Sequence, residues 1–425
     1  MTICAIATAP GGALGIVRVS GPDAISATDA IFRGRTPLAQ AQSHTAHYGT
    51  ILDDDGTILD DVLVTLFRAP HSYTGEDSTE ISCHGSPYIL RHLLALLISH
   101  GCRMAQPGEY TQRAFLNGRL DLSQAEAVAD LIASDNAAAH HVALSQMRGH
   151  FSNRLRDLRD RLLEMTSLLE LELDFSEEDV EFAERSKLTD LATTIQTELQ
   201  RLSDSFATGN AIREGIPVAI IGAPNVGKST LLNQLLGDDK AIVSDIQGTT
   251  RDTIEDTVTL DGYLFRFIDT AGLRHTTDTI EQLGQERALQ AADKAHIIIL
   301  ITEPGVPYPA ITIRPDQHVL RIVNKTPTFQ ALTGVGLDDL RQQLTTAIPR
   351  HTSSQVLVTN LRHKQALDQA HAAISRALLS LRDGLSGDLI AEDLRLCLHH
   401  LADILGEITS QEVLGNIFAH FCIGK

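Results

Sequence analysis

A chain of 425 residues exceeds what one ordinary core holds, so two or three domains are expected. Its hydrophobic content of 43% is normal for a globular fold, whereas a net charge of −19 excludes a protein that grips nucleic acid with its own broad basic face. Five scattered cysteines (Cys4, Cys83, Cys102, Cys397 and Cys422) show no C-x-x-C or zinc spacing, which argues against a disulfide framework.

The opening "MTICAIATAPGGALGIVRVSG" is apolar but lacks a charged n-region. No run approaches the roughly 18 apolar residues of a membrane span, so the expected compartment is the cytoplasm, with no membrane partner. Residues 1 to about 120 alternate short β-type runs, "GIVRVSG", "DVLVTLFRAP" and "TEISCHG", with Gly- and Pro-marked turns and one helical stretch, "YILRHLLALLISHG". That pattern predicts an α+β module.

At Asp121 the texture turns helical, and Ser123 to Glu126 reads as a capping box. In "RLRDLRDRLLEMTSLLELELDF", Leu155, Leu158, Leu162, Met165 and Leu169 recur every three or four residues as one apolar stripe. The acidic "DFSEEDVEF" that follows reads as a solvated face. From about Ile216, "IPVAIIG", "YLFRFID", "HIIILIT" and "HVLRIVN" alternate with helical segments, the signature of a parallel, doubly wound sheet. Helical texture returns after Pro349. The expected architecture is therefore multidomain α/β and α+β. It has an N-terminal module (1–120), a discontinuous helical domain (121–213 and 350–425) and an inserted α/β domain (214–349).

"GAPNVGKST" matches G-x-x-x-x-G-K-S over Gly222–Ser229, after a strand and before a helix, as a phosphate loop requires. Backbone N–H groups of Asn225, Val226, Gly227 and Thr230 can wrap phosphates at a helix N-terminus. Lys228 supplies a cation to the β- and γ-phosphates, and the Ser229 hydroxyl suits Mg²⁺. The threonines of "DIQGTTRD" can close over the metal as a switch loop, although alone they read as an ordinary turn. In "IDTAG", Asp269 would hold a metal-bound water, Thr270 and Ala271 follow, and the Gly272 N–H would sense the γ-phosphate. Leu273 stands where several GTPases place a water-orienting glutamine. Glu281 is a polar substitute, but from the residues alone it reads as a solvated helix-start glutamate.

Together "GAPNVGKST", "DIQGTTRD", "IDTAGLR", "IEQLGQERA" and the terminal "FCIGK" resemble the tRNA-modification GTPase family MnmE, also called TrmE. "GIVRVSGP", "SYTGEDSTEISCHGSP" and "QPGEYTQRAFLNGRLDLSQAEAVADLI" extend the likeness over nearly the whole chain. The resemblance implies an N-terminal dimerisation module that binds 5-formyl- or methylene-tetrahydrofolate as one-carbon donor. It implies a homodimer that binds GTP and forms a heterotetramer with an FAD-dependent, MnmG-like partner. That complex would act at C5 of the wobble uridine of tRNA.

By the same resemblance Arg18, Glu80 and Arg119 contact folate, and Lys425 lies near it. Without the likeness, Arg18, Glu80 and Arg119 read as surface ion pairs. Asn225, Ser244, Ile246 and Thr249 would hold K⁺, the isoleucine through its backbone, where other GTPases use an arginine finger. Ser229 and Thr250 would hold Mg²⁺. The likeness also reverses the reading of Glu281, which matches the family's water-orienting glutamate.

One departure stands out. Guanine is normally read by N-K-x-D, and here Asn324, Lys325 and Thr326 are followed by Pro327. "QALTG" comes at once, with Gln330 where a serine would stand, so the intervening segment looks deleted. Guanine selectivity is expected to be weakened, because proline has no side-chain acceptor. At the tail, Thr409 to Glu412 reads as another capping box, and the helix is expected to run almost to Cys422. By composition Cys422 is an inert filler. The resemblance makes it available for proton transfer or covalent chemistry on the uridine. Two other readings remain open at this level: a GTP-gated assembly factor, as in ribosome maturation, or a scaffold with a weakened G domain.

Overall fold

A computed structural model describes residues 1–9, 11–174, 185–237, 256–268, 289–315, 317–348, 356–419, 421–422 and 424. They fall into two units: Met1–Ala129 with Met147–Arg159 and Leu398–Lys425, and Asp130–Gln146 with Asp160–Cys397.

In the first unit the chain runs through β1 (Ile3–Ile6), β2 (Leu14–Ser20), α1 (Ala24–Ile31), β3 (Phe32–Gly34), β4 (Thr45–Leu52), β5 (Ile58–Phe67) and β6 (Ser78–His84). It continues with α2 (Pro87–Ser99), β7 (Arg103–Met104), α3 (Glu109–Leu116) and the start of α4 (Leu122–Ala133). The strands form one sheet in the order β3-β4-β5-β6-β2-β1-β7. Neighbours are antiparallel except β1 and β7.

Alternation fixes which side chains meet. Val17 and Val19 on β2, Val62, Val64 and Leu66 on β5, and Ile81 and Cys83 on β6 are buried with α1 and α2 residues in one core. The intervening residues point to the opposite face. There Arg18 and Glu80 are register partners on adjacent strands. Helix α2 starts with Pro87 at its first position and with the Ser86 side chain accepting from the Tyr88 N–H.

The predicted capping box is displaced. Asp121, not Ser123, caps α4: its Oδ1 accepts from the Gln124 N–H at 3.0 Å, and Gln124 Oε1 accepts from the Asp121 N–H at 3.0 Å. Ser123 is instead buried against Ser152, 2.9 Å away. The reciprocal grammar is satisfied two residues early, because Asp121 also pairs with Arg156 at 2.7 Å.

The chain continues through α5 (Ala137–Met147), α6 (His150–Asp174), α7 (Arg185–Asp204) and α8 (Phe206–Glu214). All five residues of the predicted α6 stripe are buried to within 1% exposure, so periodicity located this helix face correctly. The acidic stretch after α6 lies outside the described residues.

A second sheet follows, built from β8 (Ile216–Ile221), β9 (Asp256–Leu260), β10 (Tyr263–Phe267), β11 (Ile297–Thr302) and β12 (His318–Val323) in the order β12-β11-β8-β10-β9. Helix α9 (Lys228–Leu236) follows β8, and α10 (Leu337–Thr346) follows β12. The four apolar runs are parallel neighbours, as predicted; β9, antiparallel to β10, was not anticipated. All six residues of β11 are buried. This suits a strand covered on both faces, and apolar clusters do lie on both. Helix α11 (Leu361–Arg382) packs along α7, with Gln196 donating to Ser375 at 2.8 Å. Helices α12 (Gly387–Leu405) and α13 (Gln411–Phe418) complete the chain. No helix among the described residues is long and apolar enough to cross a membrane.

Candidate functional site

Strand order reverses at β8, and open parallel sheets bind ligands beyond the carboxyl end of such a strand. The glycine-rich loop leaves β8 at this point. Asn225 and Gly227 adopt left-handed backbone conformations, φ 62° and 98°. At Gly227 there is a second constraint: a Cβ would stand 2.4 Å from Asn324 Nδ2. Only glycine meets both demands. The Val226 side chain is buried in the sheet core, which anchors the loop from beneath.

Lys228 opens α9, and its Nζ donates to the carbonyls of Gly222 at 2.9 Å and Ala223 at 2.8 Å. Burial lowers the Lys228 pKa below its usual value, and an anion beside the ammonium would offset that cost. Asn225 is exposed at the loop tip; Ser229 and Thr230 are half-buried in the first turn of α9.

Asn324 meets this loop from the end of β12. Asn324 is 4% exposed. Its Nδ2 donates to the Val226 carbonyl at 2.8 Å, its Oδ1 accepts from the Ala331 N–H at 2.9 Å, and its own N–H donates to Thr302 at 2.8 Å. Lys325 pairs with Glu303, a partner that no motif points to. Pro327 lies in a tight turn that returns the chain to Ala331.

A second cluster forms on the outer face of β2 and β6. Arg18 Nε and Nη2 donate to Glu80 Oε1 at 2.9 and 2.8 Å. The rings of Tyr73 and Tyr110 lie 5.9 and 5.6 Å from the Arg18 guanidinium carbon. Tyr110 donates to the Arg18 carbonyl at 2.8 Å, and Tyr73 and Thr111 share a 2.9 Å hydrogen bond. Both tyrosines sit in quoted motif stretches, "SYTGED" and "QPGEY", yet were not singled out. Arg119 is exposed, and its stem lies against the Tyr73 loop at Gly75.

The C-terminal tail reaches this cluster. Arg18 Nη1 donates to the Gly424 carbonyl at 3.1 Å, and the Gly108 N–H donates to that of Cys422 at 3.3 Å. Cys422 is exposed, while the other four cysteines are buried. Helix α13 ends at Phe418, four residues before Cys422 and earlier than predicted. Its cap is Ser410, which accepts from the Val413 N–H at 3.3 Å, and not Thr409. Ser244, Ile246, Thr249, Thr250, Asp269, Thr270, Ala271, Gly272, Glu281 and Lys425 lie outside the described residues.

A phosphate loop at the reversal point of a largely parallel sheet, hydrogen-bonded to a buried asparagine beyond its last strand, defines a P-loop nucleotide-binding protein. Comparison with known proteins narrows the class. Residues 122–422 match the family described as the MnmE helical domain, and residues 2–119 that described as the GTP-binding protein TrmE N-terminus. The whole chain aligns with 99% of the tRNA modification GTPase MnmE of Bacteroides fragilis (strain YCH46) at 53% identity. It aligns with all of that of Parabacteroides distasonis at 51%.

The chain belongs to the MnmE family of tRNA modification GTPases. The alignment with the Bacteroides protein spans 462 positions against 425 residues here, so that relative carries residues this chain lacks. Among solved structures, the cytosolic domain of the T. maritima FeoB iron transporter in apo form covers 45% of this chain and 98% of its own. At 17% identity and a TM-score of 0.22, it adds nothing to the fold described.

Proposed function

We propose that this chain is the GTP-hydrolysing component of a system that modifies C5 of the tRNA wobble uridine. It works as a homodimer in the cytoplasm with an FAD-dependent, MnmG-like partner, which supplies most of the grip on tRNA that a net charge of −19 denies this chain. The observation that carries the reading is the buried Asn324 amide. It ties the phosphate loop to the segment after β12, which supports a loop held in shape for an anion.

The inserted domain (214–349) holds the nucleotide, with Lys228 on the phosphates. Ser229 with Thr250 holds Mg²⁺, and oxygen donors of this kind suit a hard cation. Asn225, exposed at the loop tip, holds K⁺ with Ser244, Ile246 and Thr249; Asp269 to Gly272 follow the γ-phosphate, and Glu281 orients the attacking water. When bound, the cations supply neutralisation of charge developing on the transferred phosphoryl group.

The N-terminal module (1–120) takes the tetrahydrofolate donor between Arg18, Glu80, Arg119 and Lys425. An arginine–carboxylate pair flanked by two phenol rings offers hydrogen-bonding edges and stacking faces to a planar heterocycle. Cys422 serves the uridine chemistry from a tail docked on that module.

Pro327 removes the carboxylate that reads guanine. A charge-assisted hydrogen bond contributes about 1.5–3 kcal/mol, so discrimination against other bases drops by about ten- to a hundredfold while hydrolysis survives. Turnover of GTP, ATP and XTP by the purified protein, in K⁺ and in Na⁺, tests both points. K⁺-dependent hydrolysis with eroded preference for GTP is expected. An undiminished strict preference for GTP overturns the selectivity argument, and absence of hydrolysis in K⁺ overturns the function. In the same system Cys422→Ser is expected to abolish tRNA modification and leave hydrolysis unchanged.

A further inference from the structure

Both ends of the Asn324 amide are occupied, and the Oδ1 partner, the Ala331 N–H, lies seven residues further along the chain. The backbone must reverse between them. It does so in a turn closed largely by one side chain. Lys325 enters in a left-handed conformation, φ 60°. The Thr326 N–H donates to the Phe329 carbonyl at 3.0 Å, and the Phe329 N–H donates to Thr326 Oγ1 at 3.1 Å. The same hydroxyl donates to the Val323 carbonyl at 3.2 Å, at the end of β12. Pro327 fixes the second turn position and has no N–H to satisfy. Beyond it, the Gln330 N–H donates to the Val335 carbonyl at 3.0 Å, which leaves the adjacent Ala331 N–H aimed at Asn324.

We propose that Thr326 is a positioning residue of the nucleotide site. Its hydroxyl locks the Thr326–Phe329 turn, the turn delivers the Ala331 N–H to Asn324, and Asn324 in consequence keeps Val226 and the phosphate loop in register. The inference rests on the reading that this loop holds a nucleotide. A single hydroxyl meets two backbone groups at the closure, the Phe329 N–H and the Val323 carbonyl.

The test uses the full chain and fluorescently labelled GDP, with hydrolysis of GTP followed in K⁺. Thr326→Val keeps the shape and removes the hydroxyl; it should weaken labelled GDP by about tenfold, raising KM and leaving kcat unchanged. Thr326→Ser should restore wild-type affinity. In an Asn324→Ala background, Thr326→Val should add no further loss, because the link it acts through is gone. Hydrogen exchange at the Ala331 amide should accelerate in Thr326→Val, a readout independent of nucleotide. Wild-type affinity in Thr326→Val, or losses that multiply in the double variant, overturns the proposal. Failure of the wild-type chain itself to bind labelled GDP strikes instead at the nucleotide reading, and takes this proposal with it.

Discussion

Glu109 shows how one buried carboxylate can set the acid limit of a module. It is 6% exposed at the start of α3, where its Oε1 and Oε2 meet Arg103, the Gln106 N–H at 2.9 Å and Arg113 at 2.9 Å. Burial pushes its carboxyl up, but the two guanidinium groups and the N–H outweigh burial and hold it at about 2. The native pKa therefore lies below the unfolded one. The stabilisation is complete above about pH 4.5 and is lost as pH falls towards 2. Its size is about 3 kcal/mol from the shift alone. Urea unfolding across this range should show a falling midpoint for the wild type. Glu109→Gln should be less stable at pH 7, and the gap should close as pH approaches 2. A gap that stays constant with pH would falsify the assignment to this carboxyl.

Individual residues also mark where sequence reasoning reached and where it stopped. The Lys228 and Asn324 positions were legible because their motifs encode backbone geometry. The cap of α4 was misplaced because "DLSQAE" satisfies the same grammar twice, and the tie is broken by Arg156, which is far along the chain.

At the scale of elements, the hairpin of β9 and β10 joins the loops read as nucleotide switches. It turns through Asp261 and Gly262, both left-handed at φ 48° and 81°. The Asp-Gly pair between two β-type runs is a hairpin signal, so β9 was available in "DTVTLDGYLF", although its run carries only Val258 and Leu260 as apolar residues. What no local rule supplies is the turn's partner. The Gly262 carbonyl accepts from the Ala138 N–H at 3.0 Å, an otherwise orphaned donor in the first turn of α5, while Asn136 Oδ1 takes the Ala139 N–H at 2.9 Å. A Cβ on Gly262 would come within 3.2 Å of the Ala137 Cβ. Gly262→Val combines that crowding with a left-handed strain of about 1–2 kcal/mol. It should lower the unfolding midpoint by at least that amount, whereas Gly305→Val, also left-handed but facing open space, should incur the strain alone.

For the whole molecule, the nucleotide loop and the docked tail belong to different units. The texture of the sequence disclosed a helical frame around an α/β insert, because periodicity is a local property. It could not disclose that Arg18 donates to Gly424, 406 positions away, since nothing in "FCIGK" encodes a docking partner. That contact makes the tail part of the N-terminal module. A chain ended after Ala419 deprives Arg18 of the Gly424 carbonyl and the Gly108 N–H of the Cys422 carbonyl, while it touches no residue of the phosphate loop. The Arg18–Glu80 pair and the two tyrosine rings would remain, but the guanidinium would lose the acceptor that holds its third nitrogen in place. The truncated chain should hydrolyse GTP at the wild-type rate and bind 5-formyl-tetrahydrofolate at least about tenfold more weakly, because it loses both the Gly424 acceptor of Arg18 and Lys425, which the proposed function puts beside the folate. Calorimetric titration alongside a phosphate-release assay separates the two effects. Equal loss in both would mean that the tail supports the fold of the entire chain, and unchanged folate affinity would mean that Arg18 needs no help from it.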